Sequence, residues 1–216
     1  MKPVRFCACA VFVAWTALAV AAQVPEMEYT KDAGTSFLCH FTSAEEVKAL
    51  GGVVMGKADF APGKYGNGIL CAAAGDYVTF PAQGAISFKE GTLEMWLKPE
   101  MDLKDVKFPD DPHPYLFHLF KSNNDPALYI YYNAHNQTIA MSVSTVVDGK
   151  LVQCYPQASA RDWKKGQWHH VAFTWGKGAF IYFDGKMAAT MKFEGKEEPL
   201  PEKFFVGATA WRSNPA

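Results

Sequence analysis

Residues 168–185 read WHHVAFTWGKGAFIYFDG. Side chains on an extended backbone alternate sides, so His169, Val171, Phe173 and Trp175 share one face, and Trp168, His170, Ala172 and Thr174 the other. This pattern predicts a strand. Gly176-Lys177-Gly178 then reads as a turn, and Ala179, Phe180, Ile181, Tyr182 and Phe183 as a second, aromatic and β-branched strand. Asp184-Gly185 is the positive-φ pair of a tight hairpin, which leads into a third strand over 186–193.

Working outward, further strands are predicted at 37–41, 69–73, 77–80, 92–98, 115–121, 128–132, 138–147 and 151–155, with a hairpin at Asp148-Gly149. Gly, Pro, Asn and Asp punctuate them. Ser43-Ala44-Glu45-Glu46 has the form of a helix start, so one short helix is expected over 44–50, ended by Gly51-Gly52. The segment 100–114, with Pro109, Pro112 and Pro114, cannot donate to a ladder and reads as a long surface loop. Many short strands with almost no helical periodicity predict an all-β, two-sheet antiparallel β-sandwich.

Three pieces of the chain carry a family resemblance. They are Gly63-Lys64-Tyr65-Gly66-Asn67-Gly68-Ile69-Leu70 with Gly75-Asp76-Tyr77-Val78; Gly91-Thr92-Leu93-Glu94-Met95-Trp96-Leu97-Lys98-Pro99; and the Trp-x-His-Val-Ala-x-Thr hairpin closing on Asp184-Gly185-Lys186. In this order and spacing the sequence resembles the laminin G-like, concanavalin A-like lectin/glucanase domains. The resemblance implies a jelly-roll topology for a domain over 36–216. It also implies a further Gly-x-Ile-Asp-Glu-Val strand after the one matching Lys203–Gly207, pairing near the first strand. Residues 208–216 do not supply it. The resemblance thus implies a jelly roll lacking its last strand, with truncation the expected account and an exposed edge beside 37–41 the alternative.

At the other end, Lys2 and Arg5 precede an uncharged apolar run, 6–22, that closes on small residues. That is the form of a secretory signal peptide over 1–22, followed by a polar lead-in over 23–35. The run is short for a membrane span, which needs about 20 apolar residues. Cys7 and Cys9 precede the apolar core, which speaks against a lipoprotein site. A secreted, periplasmic or cell-surface protein is expected, with no membrane insertion after cleavage. Loss of Lys2 and Arg5 leaves 19 basic against 22 acidic side chains, a net charge of −3 with no basic run. Nucleic acid and anionic membrane surfaces therefore have no electrostatic footprint to bind. The three cysteines beyond the leader are Cys39, Cys71 and Cys154. Small buried core thiols are the favoured reading, with a Cys39–Cys71 disulfide the alternative.

Glucanases on this sandwich carry clustered carboxylates on one strand face, since hydrolysis needs two carboxyls flanking the bond. Glu94 is the only acid of its strand, so no enzyme is expected. His169 and His170 face opposite sides and cannot serve one site. His170, the motif histidine, is expected to be hydrogen-bonded within the sandwich. Asp110, Asp111 and Asp125 lie in oxygen-rich loops and are the candidate ligands for Ca2+, against the alternative of ordinary turn chemistry. For stacking on sugars, Tyr129, Tyr131 and Trp163 are the candidates, drawn from a wider set that includes Tyr132 and Trp211. The function expected is a secreted non-catalytic recognition module for a glycan or an extracellular protein, working through the rim loops 100–114 and 122–126. The alternatives are a structural or adhesion segment of a larger cell-surface protein and, more distantly, a degraded glucanase.

Overall fold

The computed structural model describes residues 6–14, 28–71, 75–106, 114–122 and 125–207. The expected cleavage site, Asp110, Asp111 and Trp211 lie outside them. In chain order the strands are β1 (Phe6–Ala14), β2 (Thr35–Cys39), β3 (Val53–Met55), β4 (Asp59–Pro62), β5 (Asn67–Cys71), β6 (Tyr77–Pro81), β7 (Gly91–Pro99) and β8 (Tyr115–Leu119). They continue with β9 (Leu128–Asn133), β10 (Thr138–Val147), β11 (Lys150–Cys154), β12 (Gln157–Ser159), β13 (His169–Phe183), β14 (Lys186–Glu194) and β15 (Lys203–Val206). The helix α1 spans Ala44–Ala49, where Ser43 Oγ accepts from the Glu46 amide as its N-cap. Among the described residues no helix is long and apolar enough to cross a bilayer.

The strands form two antiparallel sheets in a jelly-roll sandwich. One runs β14-β13-β7-β1-β5-β4, with β2 also on β1; the other runs β11-β10-β9-β8-β15-β6-β3, with β12 on β10. We call them sheets A and B. The alternation expected for 169–175 holds in β13, whose Val171, Phe173 and Trp175 enter the shared core. From sheet B, Leu128, Ile130 and Tyr132 of β9, Ile139, Met141 and Val143 of β10, and Phe204 and Val206 of β15 meet them. Phe37, Phe80, Phe117 and Phe204 join in edge-to-face and stacked pairs at one end of this core.

Gly176-Lys177-Gly178 is not a turn. The chain runs on as one strand of 15 residues, and the hairpin lies only at Asp184-Gly185, both at positive φ. Gly176 and Gly178 have φ of 136° and 103°, and the register to β14 shifts between Lys177 and Ala179. The glycines bend the strand where its pairing passes from β7 to β14, without reversing it.

A second difference concerns the slot beside β2. The sequence reading expects a strand there to be missing by truncation, with an open edge the alternative, whereas the structure places beside β2 the strand β1, from the apolar run read as the core of a leader. β1 is antiparallel to β7 along its whole length; on its other edge, Phe6–Ala8 pair with β5 and Val11–Ala14 with β2. An uncharged apolar run of nine residues suits a central strand as well as it suits an export signal, and periodicity does not separate the two.

The same pairing bears on the cysteines. Cys39 sits opposite Val11 and Cys71 opposite Phe6, five positions apart along β1, or about 17 Å of extended strand. A disulfide needs Cα atoms within about 7 Å, and Cys39, Cys71 and Cys154 are all buried thiols.

Candidate binding site

The outward faces of the two sheets each carry a cluster of chemistry-bearing side chains. On sheet A, Glu94 of β7 and His170 of β13 are diagonal neighbours across the ladder, where His170 pairs with Trp96 and Glu94 with Ala172, and Tyr29 of the lead-in bonds to both. The Tyr29 hydroxyl donates to Glu94 Oε2 at 2.8 Å, and His170 Nε2 lies 3.1 Å from the same oxygen and also against the tyrosine hydroxyl. His170 is fully buried, and its Nδ1 has no partner among the described residues. Burial raises the Tyr29 hydroxyl far above its ordinary value, and the negative charge of Glu94 raises it further. The expectation of a hydrogen-bonded His170 thus holds, and the group ties the lead-in to the sheet.

Its contribution is testable. Glu94→Ala removes the acceptor for a buried hydroxyl and the partner of a buried imidazole. A loss of about 2–4 kcal/mol is expected, since hydrogen bonds to charged groups contribute about 1.5–3 kcal/mol each. Chemical denaturation of Glu94→Ala, Tyr29→Phe and the double variant reads both the loss and the coupling between the two side chains.

The second histidine of the pair points the other way. His169 Nδ1 lies 2.9 Å from Asp184 Oδ2, and its ring is stacked on Trp163 with centroids 3.9 Å apart and planes 8° from parallel. Trp163 also meets Phe183 edge to face and belongs to the core, only 8% exposed. The structure therefore does not bring Trp163 together with Tyr129 and Tyr131.

Those two tyrosines do come together, on the face of sheet B turned away from the shared core, but the exposure expected of their strand is not found: Tyr129 is 9% and Tyr131 8% exposed. While Leu128, Ile130 and Tyr132 enter the core, Tyr129 and Tyr131 join Tyr115 and Ala140 in a separate cluster flanked by Phe120 and Tyr155. Tyr115 meets Tyr129 at 5.9 Å and Tyr131 at 5.5 Å between centroids, and Tyr131 stacks on Tyr155 at 6.0 Å. A polar pair borders the cluster, with Gln153 Nε2 donating to Ser142 Oγ at 2.6 Å.

His118 of β8 is the residue that sequence reasoning passed over. Its ring lies within 5.2–5.6 Å of Tyr115, Phe120, Tyr129 and Phe205. It is 9% exposed, and neither Nδ1 nor Nε2 has a hydrogen-bond partner among the described residues. An imidazole always carries at least one donor N–H, and leaving such a group buried and unsatisfied costs about 1–3 kcal/mol. Burial pushes its pKa down to about 4, so the ring is neutral at pH 7, one nitrogen donating and the other accepting. Burial likewise holds Tyr115 and Tyr129 above the usual tyrosine range, so they remain phenols. The face is uncharged and aromatic, with one amphoteric polar group at its centre.

Of the calcium candidates only Asp125 lies among the described residues. Asp125 Oδ2 accepts from Ser122 Oγ at 2.6 Å, a turn bond, and among the described residues no group of three or more His, Cys, Asp or Glu could hold a metal ion.

A family model described as the concanavalin A-like lectin/glucanases superfamily matches residues 72–216. The chain belongs to that superfamily. Comparison with curated proteins finds no match. Among solved structures, this lectin/glucanase-superfamily domain is similar to the receptor-binding domain of botulinum neurotoxin type G, at 14% identity and a TM-score of 0.52 over 74% of this chain and 38% of that one. It is also similar to the receptor-binding domain of botulinum neurotoxin D, at 17% identity and a TM-score of 0.51 over 73% and 39%. A third is the binding domain of botulinum neurotoxin DC in complex with SialylT, at 11% identity and a TM-score of 0.50 over 74% and 38%. The matched part is about two fifths of each of those chains. At these identities the likeness is one of fold.

Proposed function

We propose that this domain is a secreted, non-catalytic recognition module that binds an uncharged glycan across the aromatic face of sheet B. One observation carries the reading: His118, buried among aromatic rings, has two ring nitrogens and, among the described residues, no protein partner for either. A sugar hydroxyl is both donor and acceptor, so it can satisfy a neutral imidazole. The apolar face of a pyranose stacks on rings such as Tyr129 and Tyr131. Neither the rings around His118 nor the Ser142–Gln153 pair carries a charge, which favours a neutral saccharide over an anionic one. Membership of the superfamily supports a binding module of this general kind, as does the complex that the neurotoxin DC binding domain forms with SialylT. Export rests on the leader-like sequence of 1–22 and is part of the proposal.

The test is binding of the protein to a panel of neutral and anionic oligosaccharides, followed by titration calorimetry. Binding to neutral members is expected, weakened at least tenfold by Tyr131→Ala, a loss of about 1.4 kcal/mol. Binding only to anionic glycans, binding untouched by that substitution, or capture of a protein with no glycan bound would each overturn the reading.

A further inference from the structure

Two polar atoms on the outward face of sheet A are left over by the bonds around Glu94. Trp96 of β7 pairs with His170 of β13 across the ladder, and their rings meet edge to face at 5.3 Å between centroids. Trp96 is 4% exposed, and its Nε1 has no hydrogen-bond partner among the described residues; the same holds for Nδ1 of the fully buried His170. The rest of the indole is taken up. Lys64 Nζ lies 4.0 Å from a Trp96 ring centroid, and Tyr65 meets the ring edge to face at 6.3 Å.

The two leftover atoms are of opposite kinds. A carboxylate only accepts, so the His170 Nε2 beside Glu94 Oε2 carries the proton, and Nδ1 of the neutral ring is an acceptor. The indole N–H only donates. Burying such a pair without partners is costly, whereas a hydroxyl, donor and acceptor at once, matches both. A hydroxyl on a six-membered ring already sits beside them: the phenol of Tyr29, which donates to Glu94 Oε2 and lies against His170 Nε2. It satisfies one side of the imidazole and leaves the other side, and the indole, unsatisfied. The phenol hangs from a stretch of the lead-in, 28–34, that runs outside both sheets and is exposed over 30–33. That stretch is anchored by the Tyr29 bonds and, at the surface, by the pair His40 Nδ1 and Glu28 Oε1.

We propose that Tyr29 is a displaceable plug, and that the face beneath it, formed by Glu94, Trp96 and His170, is a second ligand site that takes a pyranose through two neighbouring hydroxyls. One hydroxyl takes the place of the tyrosine's, between Glu94 and His170 Nε2. The next lies between His170 Nδ1 and Trp96 Nε1, accepting from the indole and donating to the imidazole. A pyranose is a six-membered ring like the phenol it replaces, and it gains the two hydrogen bonds that Tyr29 does not make. An open-chain polyol presents the same hydroxyls but must be ordered on binding, which favours the ring. The site is separate from the aromatic face of sheet B, and neither needs the other.

Tyr29→Gly, made in the full chain, opens the site. The probes are the methyl pyranosides of glucose, galactose and mannose, with glycerol as the open-chain control. Titration calorimetry is expected to show a pyranoside bound to Tyr29→Gly at least tenfold more tightly than to the parent, which must first release its tyrosine. p-Cresol, the Tyr29 side chain as a free molecule, is expected to compete with it. Trp96→Phe keeps an aromatic ring and removes the N–H, and should weaken binding to Tyr29→Gly at least tenfold. The parent itself gives a readout that needs no substitution. Gly34 and Thr35 donate their N–H groups to Asp32 within the lead-in, and pyranoside at its highest soluble concentration should speed their amide exchange as the tyrosine leaves. A folded Tyr29→Gly that binds no pyranoside, glycerol binding as tightly as the rings, or binding that Trp96→Phe leaves unchanged would overturn the proposal. Unchanged exchange at Gly34 and Thr35 in the parent would do so too, whether or not the variant folds. Binding that Tyr131→Ala abolishes and Trp96→Phe spares belongs to sheet B, and overturns this site while leaving that one standing.

Discussion

Trp175→Ala is expected to destabilise the domain by about 3–5 kcal/mol, the range for truncating a large buried aromatic. The upper half of that range applies for two reasons. Trp175 is 1% exposed, and its Nε1 donates at 2.9 Å to the carbonyl of Ser87, which the substitution leaves without its donor. The cavity also cannot close easily. Trp175 lies directly across the ladder from Gly91, and a methyl group placed on Gly91 would come within 2.5 Å of the indole. The ring fills the space that the glycine leaves, so the two positions act as one packing unit. For a domain of this size each kcal/mol corresponds to about 2–4 °C, which sets the expected fall in melting temperature at roughly 10–15 °C. Trp175→Phe should fall by much less, and Gly91→Ala should repeat part of the loss by pushing the indole aside. A fall of under about 3 °C for Trp175→Ala would show that this pocket is not part of the folded protein.

His118→Phe is expected to act in the opposite direction. The substitution keeps an aromatic ring among Tyr115, Phe120, Tyr129 and Phe205 and removes two buried nitrogens that lack partners among the described residues. A gain of about 1–3 kcal/mol at pH 7 is expected, together with loss of glycan binding. The pH dependence separates this from a general packing effect. The folded-state pKa of His118 is depressed to about 4, against about 6.5 in an unfolded chain. Above pH 6.5 both states are neutral there. As pH falls from 6.5 towards 4, the unfolded state binds a proton that the folded state refuses, so the native protein loses stability, by up to about 3 kcal/mol for this group alone. Below pH 4 the difference is constant. Tyr115 and Tyr129, the titratable neighbours, stay protonated throughout this window. Denaturation curves at pH 7 and pH 4.5 should therefore converge by about that amount in His118→Phe relative to the parent. An unchanged difference would mean that His118 is solvated in the folded state.

Much of the fold was legible because period-two alternation survives in the central strands. β7, β9, β10 and the first half of β13 were read nearly at their observed bounds, as was the helix behind Ser43. The short strands β3, β4 and β12, of three or four residues, were missed; they are too brief to show a period, and partners far along the chain define them. The site was half legible. Tyr129 and Tyr131 share a face by simple alternation, and the structure keeps them so. His118 escaped because alternation sets it opposite Tyr115, whereas the register shift between Tyr115 and Phe117 puts both on one face. A bulge of that kind leaves no mark in local composition. Trp163 misled for a related reason: a polar stretch, Arg161–Gly166, suggested an exposed loop, but the ring turns inward onto His169, a contact between segments that no spacing records.

The buried thiols Cys39, Cys71 and Cys154 make the domain its own chemical clock. Cys39 and Cys71 sit in sheet A opposite Val11 and Phe6 of β1, and Cys154 sits in sheet B. Burial raises the Cys39 thiol to about 12 and raises Cys154 as well, so while the sandwich is closed neither offers the thiolate that alkylating reagents and oxidants require. Any opening confined to the centre of sheet A would expose the first two and spare the third. The order in which Cys39, Cys71 and Cys154 become modified therefore reports whether the sandwich parts along that seam or comes undone as a whole.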